Sequence, residues 1–294
     1  MILIFGKNGY VSKRFQDYFD YKQIPYIVCS LKDKPTSYWA EEMVRVHQPS
    51  FVINCIGYTG KPNVDSCELH KEECLYVNVI LAEKIAEACK KYNIPLGYVG
   101  SGCIYQEDEV EWWREYNEKN YPNFCFDFQN CSWYSGTKAL AESLVSKTWH
   151  KTWIWRIRMP FNHLENDKNY LYKILKYDKV WNAVNSLTNL DEFVKNAYLC
   201  YKNEIPYGIY NMVNEGSTCA KKVLETAKTF GITKEKYEYF QDKQDFQKVI
   251  KTPRSDCVLT SNKISSCNIH FLPIEESLIK TFKEWKNENS KIFW

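Results

Sequence analysis

Five short apolar runs, each leading into a stretch with helical spacing, limit this chain to few architectures. The runs span residues 2–5, 25–29, 51–56, 96–99 and 152–157 and are rich in Ile, Val, Phe and Leu. Helix-patterned stretches cover about residues 10–18, 37–46, 64–92 and 133–147 between them. Strands that are apolar without alternation are buried on both faces, and the helix after each supplies both crossover and cover. The pattern predicts an α/β fold with a doubly wound parallel sheet, a Rossmann arrangement, over residues 1–160.

Beyond residue 160 the pattern loosens. Residues 169–177, 190–201, 220–230 and 274–284 read as helices and 208–213 as a strand, with Pro160, Pro206, Pro253 and Pro273 as punctuation. We expect residues 161–294 to form mainly a smaller C-terminal substrate lobe, with 185–201 returning to the first domain. A formal net charge of +3, with Lys and Arg evenly spread, argues against nucleic acid or an anionic membrane as partner. No apolar run is long enough to span a bilayer, and the chain opens directly into a strand without a basic leader. The 12 cysteines lack the spacing of a secreted disulfide scaffold, so a reducing, cytoplasmic setting with free thiols is expected.

The first strand ends in Gly6-Lys-Asn8-Gly9-Tyr10-Val11-Ser12. Gly6 permits a tight turn and Gly9 lets backbone approach a pyrophosphate at the positive end of the following helix. These residues, with Cys55, Gly57 and Tyr58 after the third strand, form the expected dinucleotide site. The second strand ends in Cys29-Ser30-Leu31-Lys32, without a carboxylate for a ribose 2′-hydroxyl. Ser30 and Lys32 suit a 2′-phosphate, which favours NADPH over NADH; the alternative for Lys32 is a solvated side chain.

A proton-delivery set follows. Tyr134 and Lys138 lie one turn apart on one helix face, and Ser101 ends the fourth strand. Tyr134 is the candidate proton donor to a carbonyl undergoing hydride transfer, with Ser101 steadying the oxygen. Lys138 lowers the phenol pKa and binds the nicotinamide ribose. Cys103, two residues past Ser101, is surplus to simple reduction. It is either ordinary core packing or the acid/base group of a second reaction.

These residues, in this order, resemble the extended short-chain dehydrogenase/reductases, and within them the enzymes that finish nucleotide-rhamnose synthesis. The resemblance rests on Asn54-Cys-Ile-Gly57-Tyr-Thr59-Gly60-Lys-Pro62-Asn63-Val-Asp65-Ser-Cys67-Glu68, Ser101-Gly-Cys103-Ile-Tyr105, Arg156-Ile-Arg158-Met-Pro160 and Pro253-Arg254-Ser255. It covers essentially the whole chain and is strongest to the bifunctional 3,5-epimerase/4-reductases of UDP-rhamnose synthesis. The departures are Ser12 for a third glycine, Ser66 where an aromatic is usual, and Ser101 for a threonine.

The resemblance implies a nucleotide-4-keto-6-deoxy sugar as substrate and a homodimer formed through the helices at 64–92 and 133–147. It also implies Lys173 as the epimerase partner of Cys103, against the alternative of a solvated helix face. The chemistry is coherent: a C4 ketone acidifies the protons on C3 and C5, and each inversion needs one group to remove a proton and another to return one. Which of Cys103 and Lys173 is the base stays open.

Thr59, Lys61, Asn63 and Asn169 are expected at the substrate, although Asn63 or Asp65 equally serves as a helix N-cap. Arg254 suits a diphosphate or, failing that, a surface ion pair. Asn78 has a polar side chain mid-helix beside the site, and the aromatic stretch 112–133 either lines the sugar pocket or packs. Cys67, His70 and Cys74 share a helix face but lack a fourth ligand, so no metal is expected. Two other readings stand beside the leading one: a reductase acting only on an already epimerised dTDP sugar, and a non-catalytic regulatory subunit on the same fold.

Overall fold

Six parallel strands form the centre of the fold in the computed structural model, which describes residues 1–31, 38–107, 115–233 and 236–287. They are β1 (Ile2–Phe5), β2 (Tyr26–Cys29), β3 (Phe51–Asn54), β4 (Leu96–Ser101), β5 (Thr152–Ile157) and β6 (Gly208–Asn211). Their order is β6-β5-β4-β3-β1-β2, every neighbouring pair parallel. The chain winds from β1 outward to β2, then returns past β1 to β3. Strand order therefore reverses between β1 and β3, and a crevice opens at the carboxyl ends there.

Alternation along each strand sends side chains to two separate cores. Ile2 and Ile4 face one side with Phe51, Ile53, Trp153 and Trp155, covered by Phe15 and Phe19 of α1 (Tyr10–Lys22). Leu3 and Phe5 face the other with Val52, Leu96 and Tyr98. That side is covered by α2 (Trp39–His47), α3 (Leu81–Lys91) and α4 (Trp133–Thr148). Helix α5 (Leu190–Lys202) adds Phe193, Val194 and Ala197 to the α1 side, in the segment expected to return to the sheet. Phe161, Leu171, Val223, Leu224, Leu278 and Phe282 make a further core from the helices Tyr170–Ile174, Ala220–Thr229 and Ile274–Lys286.

The continuous helix expected over 64–92 is instead broken. Short helices Ser66–Leu69 and Lys71–Leu75 meet at His70, whose backbone leaves the helical region at φ −126° and ψ 50°. A π-helical turn, Tyr76–Ile80, then leads into α3. β4 runs two residues past the expected end at 99, because Gly100 and Ser101 pair with Arg156 and Ile157 of β5. Residue 37 and the first aromatics of the 112–133 stretch lie outside the described residues. Among the described residues no helix is long and apolar enough to cross a membrane.

Candidate active site

Gly6 turns the chain at φ 111°, and a Cβ there would stand 3.2–3.3 Å from the backbone of Cys55 and Ile56. Only glycine meets both demands. Gly9 has the ordinary φ of −72° and caps α1 through its carbonyl, which accepts from Lys13 N at 2.9 Å. Asn8 beside it is exposed, and Val11 packs on the first core. The Tyr10 hydroxyl donates to Asn162 Oδ1 at 2.8 Å, and burial pushes that phenol well up. Ser12, which stands in place of a third glycine, is fully buried. The α1 N-terminus with no acidic residue in its first turn fits a dinucleotide pyrophosphate. Ser30 follows β2, whereas Lys32 lies outside the described residues.

The loop after β3 is tied down by Asn78. Its Oδ1 accepts from Tyr58 N at 2.7 Å, and its Nδ2 donates to Tyr58 O at 3.1 Å and Thr137 Oγ1 at 3.0 Å. The π-turn around Asn78 sets that reach, so one amide fixes Gly57–Tyr58 against the helix that carries Tyr134 and Lys138. Cys55 lies at the start of the loop, its thiol pushed well up by burial.

Helix α4 starts where Ser132 Oγ accepts from Ser135 N at 3.1 Å, a side-chain N-cap. Trp133 N donates to Glu68 Oε1 at 2.7 Å, and Thr252 Oγ1 donates to the same oxygen at 2.9 Å. Further along, Glu142 receives Arg156 of β5 on both oxygens, Nε to Oε2 at 2.9 Å and Nη2 to Oε1 at 2.5 Å, with both residues buried.

The expected proton-delivery set converges. Ser101 ends β4, buried, with its hydroxyl beside the phenol of Tyr134. Burial pushes the Tyr134 phenol up, the Cys103 sulfur adds to this, and the Ser101 hydroxyl pulls it back. Lys138 Nζ donates to Tyr98 OH at 2.8 Å and Val99 O at 3.0 Å. Burial brings its ammonium down to about 8, while Glu142, Cys103 and Cys74 oppose that shift. A phenol held with a serine beside a buried ammonium can pass a proton to a carbonyl oxygen.

Cys103 is brought to this set by a single 3₁₀ turn, Gly102–Ile104, capped when Ser101 Oγ accepts from Cys103 N at 3.1 Å. A Cβ on Gly102 would meet Leu259 Cδ1 at 2.6 Å, so a larger residue in this turn would have to push that methyl aside. Arg158 Nη1 donates to Cys103 Sγ at 2.9 Å. The sequence named Arg158 only as part of a motif; two arginines two apart beside an apolar strand were the signal that it has a buried role.

Lys173 is not in hydrogen-bond contact with Cys103. It is half-buried beside Lys168, Asp167 and Arg254, and burial lowers its ammonium pKa, with Asp167 opposing and Arg254 adding to the shift. Lys168 Nζ donates to Gly60 O at 2.5 Å, which brings this basic group over the loop holding Thr59, Lys61 and Asn63. Arg254 pairs with Asp65 at 2.8 Å. Asn63 Oδ1 accepts from Asp65 N at 2.9 Å in a local turn, and Asp65 stands at the N-cap of Ser66–Leu69 without a side-chain cap bond. Asn169 is buried, capping its helix and donating to Asn162 O and Leu164 O at 2.8 Å each. Cys67 and Cys74 are buried free thiols beside one another, whereas His70 is exposed and does not join them.

The model of the RmlD substrate-binding-domain family matches residues 1–188. The chain belongs to this family. It is 32% identical over 284 residues to a bifunctional dTDP-4-dehydrorhamnose 3,5-epimerase/dTDP-4-dehydrorhamnose reductase of Arabidopsis thaliana, covering 95% of this chain and 91% of that protein. The trifunctional UDP-glucose 4,6-dehydratase/UDP-4-keto-6-deoxy-D-glucose 3,5-epimerase/UDP-4-keto-L-rhamnose-reductases of the same plant are longer. At 33% identity to one of them, the match takes in 95% of this chain but 41% of that protein's length. Among solved structures, a UDP-rhamnose synthase from Acanthamoeba polyphaga mimivirus superposes with TM-score 0.87 at 24% identity, over 97% of this chain and 98% of that one. A dTDP-4-dehydrorhamnose reductase from Bacillus anthracis in complex with NADP gives 0.81 at 19% identity, over 96% and 98%. The fold is thus the Rossmann-like one of the dTDP-4-dehydrorhamnose reductases.

Proposed function

We propose that this chain is an NADPH-dependent 3,5-epimerase and 4-keto-reductase that converts UDP-4-dehydro-6-deoxy-D-glucose to UDP-L-rhamnose. The coarser reading, a reductase of nucleotide-4-keto sugars, has the support of its named relatives and of the Ser101–Tyr134–Lys138 set. The bound cofactor supplies a hydride for C4. Gly6, Asn8, Gly9, Tyr10 and Val11 would hold its pyrophosphate end. Ser30 and Lys32 would meet a 2′-phosphate, and Cys55, Gly57 and Tyr58 would flank the rest.

Tyr134 delivers the proton to O4 and Ser101 holds that oxygen. Lys138 binds ribose hydroxyls and restores the phenol's proton. Thr59, Lys61, Asn63, Asn169 and Arg254 stay proposed as substrate contacts. Arg254 would then exchange its Asp65 partner for a diphosphate, since a guanidinium fork suits either. The expected homodimer would use α3, α4 and the exposed Ile80 and Leu140.

One observation carries the epimerase part: the turn that Ser101 caps brings Cys103 within electrostatic reach of the Tyr134 phenol, where reduction alone has no use for a thiol. In the proposed steps the Ser101–Tyr134 pair stabilises an enolate at O4 while Cys103 and Lys173 exchange protons at C3 and C5 from opposite faces. The test is incubation with UDP- and dTDP-4-keto-6-deoxyglucose in D2O without NADPH, for wild type and Cys103→Ala. We expect deuterium at C3 and C5 in wild type only, with NADPH binding intact in the variant. No deuterium in wild type, but NADPH oxidation with the pre-epimerised sugar, leaves a reductase. No NADPH oxidation with any such sugar leaves a non-catalytic protein.

A further inference from the structure

Arg158 carries a buried positive charge that no carboxylate among the described residues touches. Its side chain is 2% exposed. Nη2 donates to Asn185 Oδ1 at 2.5 Å and to the Ser255 carbonyl oxygen, both neutral acceptors. Nε has no hydrogen-bond partner among the described residues. Asp256 stands one step back, its Oδ1 accepting from Asn185 Nδ2 at 3.0 Å and its Oδ2 from Trp181 Nε1 at 2.9 Å. Arg156, two residues earlier, shows the contrast, since Glu142 covers its fork with a carboxylate. A guanidinium withdrawn from water is costly unless a negative charge faces it directly. The remaining atom on the Arg158 fork is Cys103 Sγ, 2.9 Å from Nη1, and a sulfur can carry that charge.

We propose that Arg158 is the counter-ion of Cys103: it holds the sulfur deprotonated and aimed at the ketone site, which makes Cys103 the base of the epimerisation. The proposal rests on the function proposed above and decides between Cys103 and Lys173. In the step, the sulfur's lone pair takes the proton from the carbon beside C4. The C–H electron pair becomes the C=C bond of the enolate, and the carbonyl π pair moves onto O4, where Ser101 and Tyr134 hold it. Lys173, as an ammonium, returns a proton to the opposite face; Cys103 then loses its acquired proton to solvent and Lys173 takes one up, which restores both groups for the second centre. Arg158 touches no substrate in this scheme; it is a positioning residue.

The titratable or charged groups facing Cys103 among the described residues are Tyr134 and Lys138 of α4, Arg158 beyond β5, and Cys257. Of the two cations, Lys138 is engaged with Tyr98 and Val99, and Arg158 alone is bonded to the sulfur. The charge of Arg158, and not merely its bulk, is therefore what the test must vary.

The test is iodoacetamide alkylation of the full chain, read at Cys103 by peptide mass spectrometry across pH, beside deuterium exchange into the keto sugar. Wild type is compared with Arg158→Gln and Arg158→Lys. At neutral pH, Cys103 in Arg158→Gln should react at least tenfold more slowly than in wild type, with the gap closing as pH rises. Arg158→Lys should recover most of the rate. Equal rates for wild type and Arg158→Gln at every pH overturn the proposal.

The wild type alone provides a second readout that needs no variant to fold. At neutral pH its Cys103 should outpace Cys219 and Cys267, which are equally half-buried but have no arginine partner among the described residues. Parity among the three overturns the ion pair. Deuterium exchange with parity sinks the ion pair alone, whereas fast Cys103 alkylation without exchange sinks the functional reading and with it the base role.

Discussion

Replacing Glu142 with Gln tests how the catalytic helix is fastened to the sheet. Glu142 on α4 takes Arg156 of β5 through two hydrogen bonds, and the two side chains are 7% and 2% exposed. The substitution keeps shape and most packing, but leaves the guanidinium charged and without a carboxylate in a site that water does not reach. Arg156 Nη1 already lacks a partner among the described residues. Breaking one side of a buried pair costs roughly 3–5 kcal/mol, most of it the stranded charge. Replacing both partners should be far milder. In Glu142→Leu/Arg156→Met the charge disappears, and the loss is mainly that of the cation 5.2 Å from the Tyr105 ring centroid. That contact is worth about 0.5–2 kcal/mol. The assay is urea unfolding followed by tryptophan fluorescence, for which the chain's 10 tryptophans suffice. A single variant that loses less than about 1 kcal/mol, or a double variant that falls as far as the single, refutes the argument.

Gly97→Ala should destabilise by about 1–3 kcal/mol through overpacking, because its Cβ would stand 2.1 Å from the Trp155 ring, which is fully buried. Adding Trp155→Phe should recover part of the loss in the same unfolding assay; a neutral single variant would show that the ring can move aside. Lys138 gives a pH test. Burial holds it at about 8 against an ordinary 10.5, so between those values the unfolded chain binds more protons and stability rises with pH. Wild type should gain on Lys138→Met by about 1–2 kcal/mol between roughly pH 7.5 and roughly pH 9.5, measured by urea midpoints. A gap that stays flat or narrows with pH would contradict the assignment.

The sheet was legible because its strands are apolar on both faces, a pattern that β1 shows without interruption and that β3 and β5 break only at Asn54, Thr152 and Arg156. Ser101, Tyr134 and Lys138 were legible as a set because helical spacing and strand ends fix direction. The break at His70 and the π-turn were not, since apolar spacing at Val79, Leu81 and Ile85 passes through them without a change of residue type. Nor were the partners of Arg156 and Arg158. Each lies on another element, 14 and 55 residues away, and only the folded chain brings them into contact. The neighbourhood of Lys173 depended on the packing of the Tyr170–Ile174 helix against loops, where periodicity carries little information.

The π-turn at Tyr76–Ile80 makes chain length, more than residue type, the guarded quantity in this stretch. A turn that holds one residue more than an α-helix shifts the angular phase of everything after it. Asn78 meets Tyr58 and Thr137 at once in that phase, while α3 beyond it still presents Ile85 and Ala86 to the sheet. A single-residue deletion would force a choice between the two, swinging either the amide or the apolar stripe about 100° around the axis. Point substitutions on the solvent side leave that phase intact. The segment is therefore a gear tooth between loop and helix, tolerant of wear on its outer face and intolerant of a change in count.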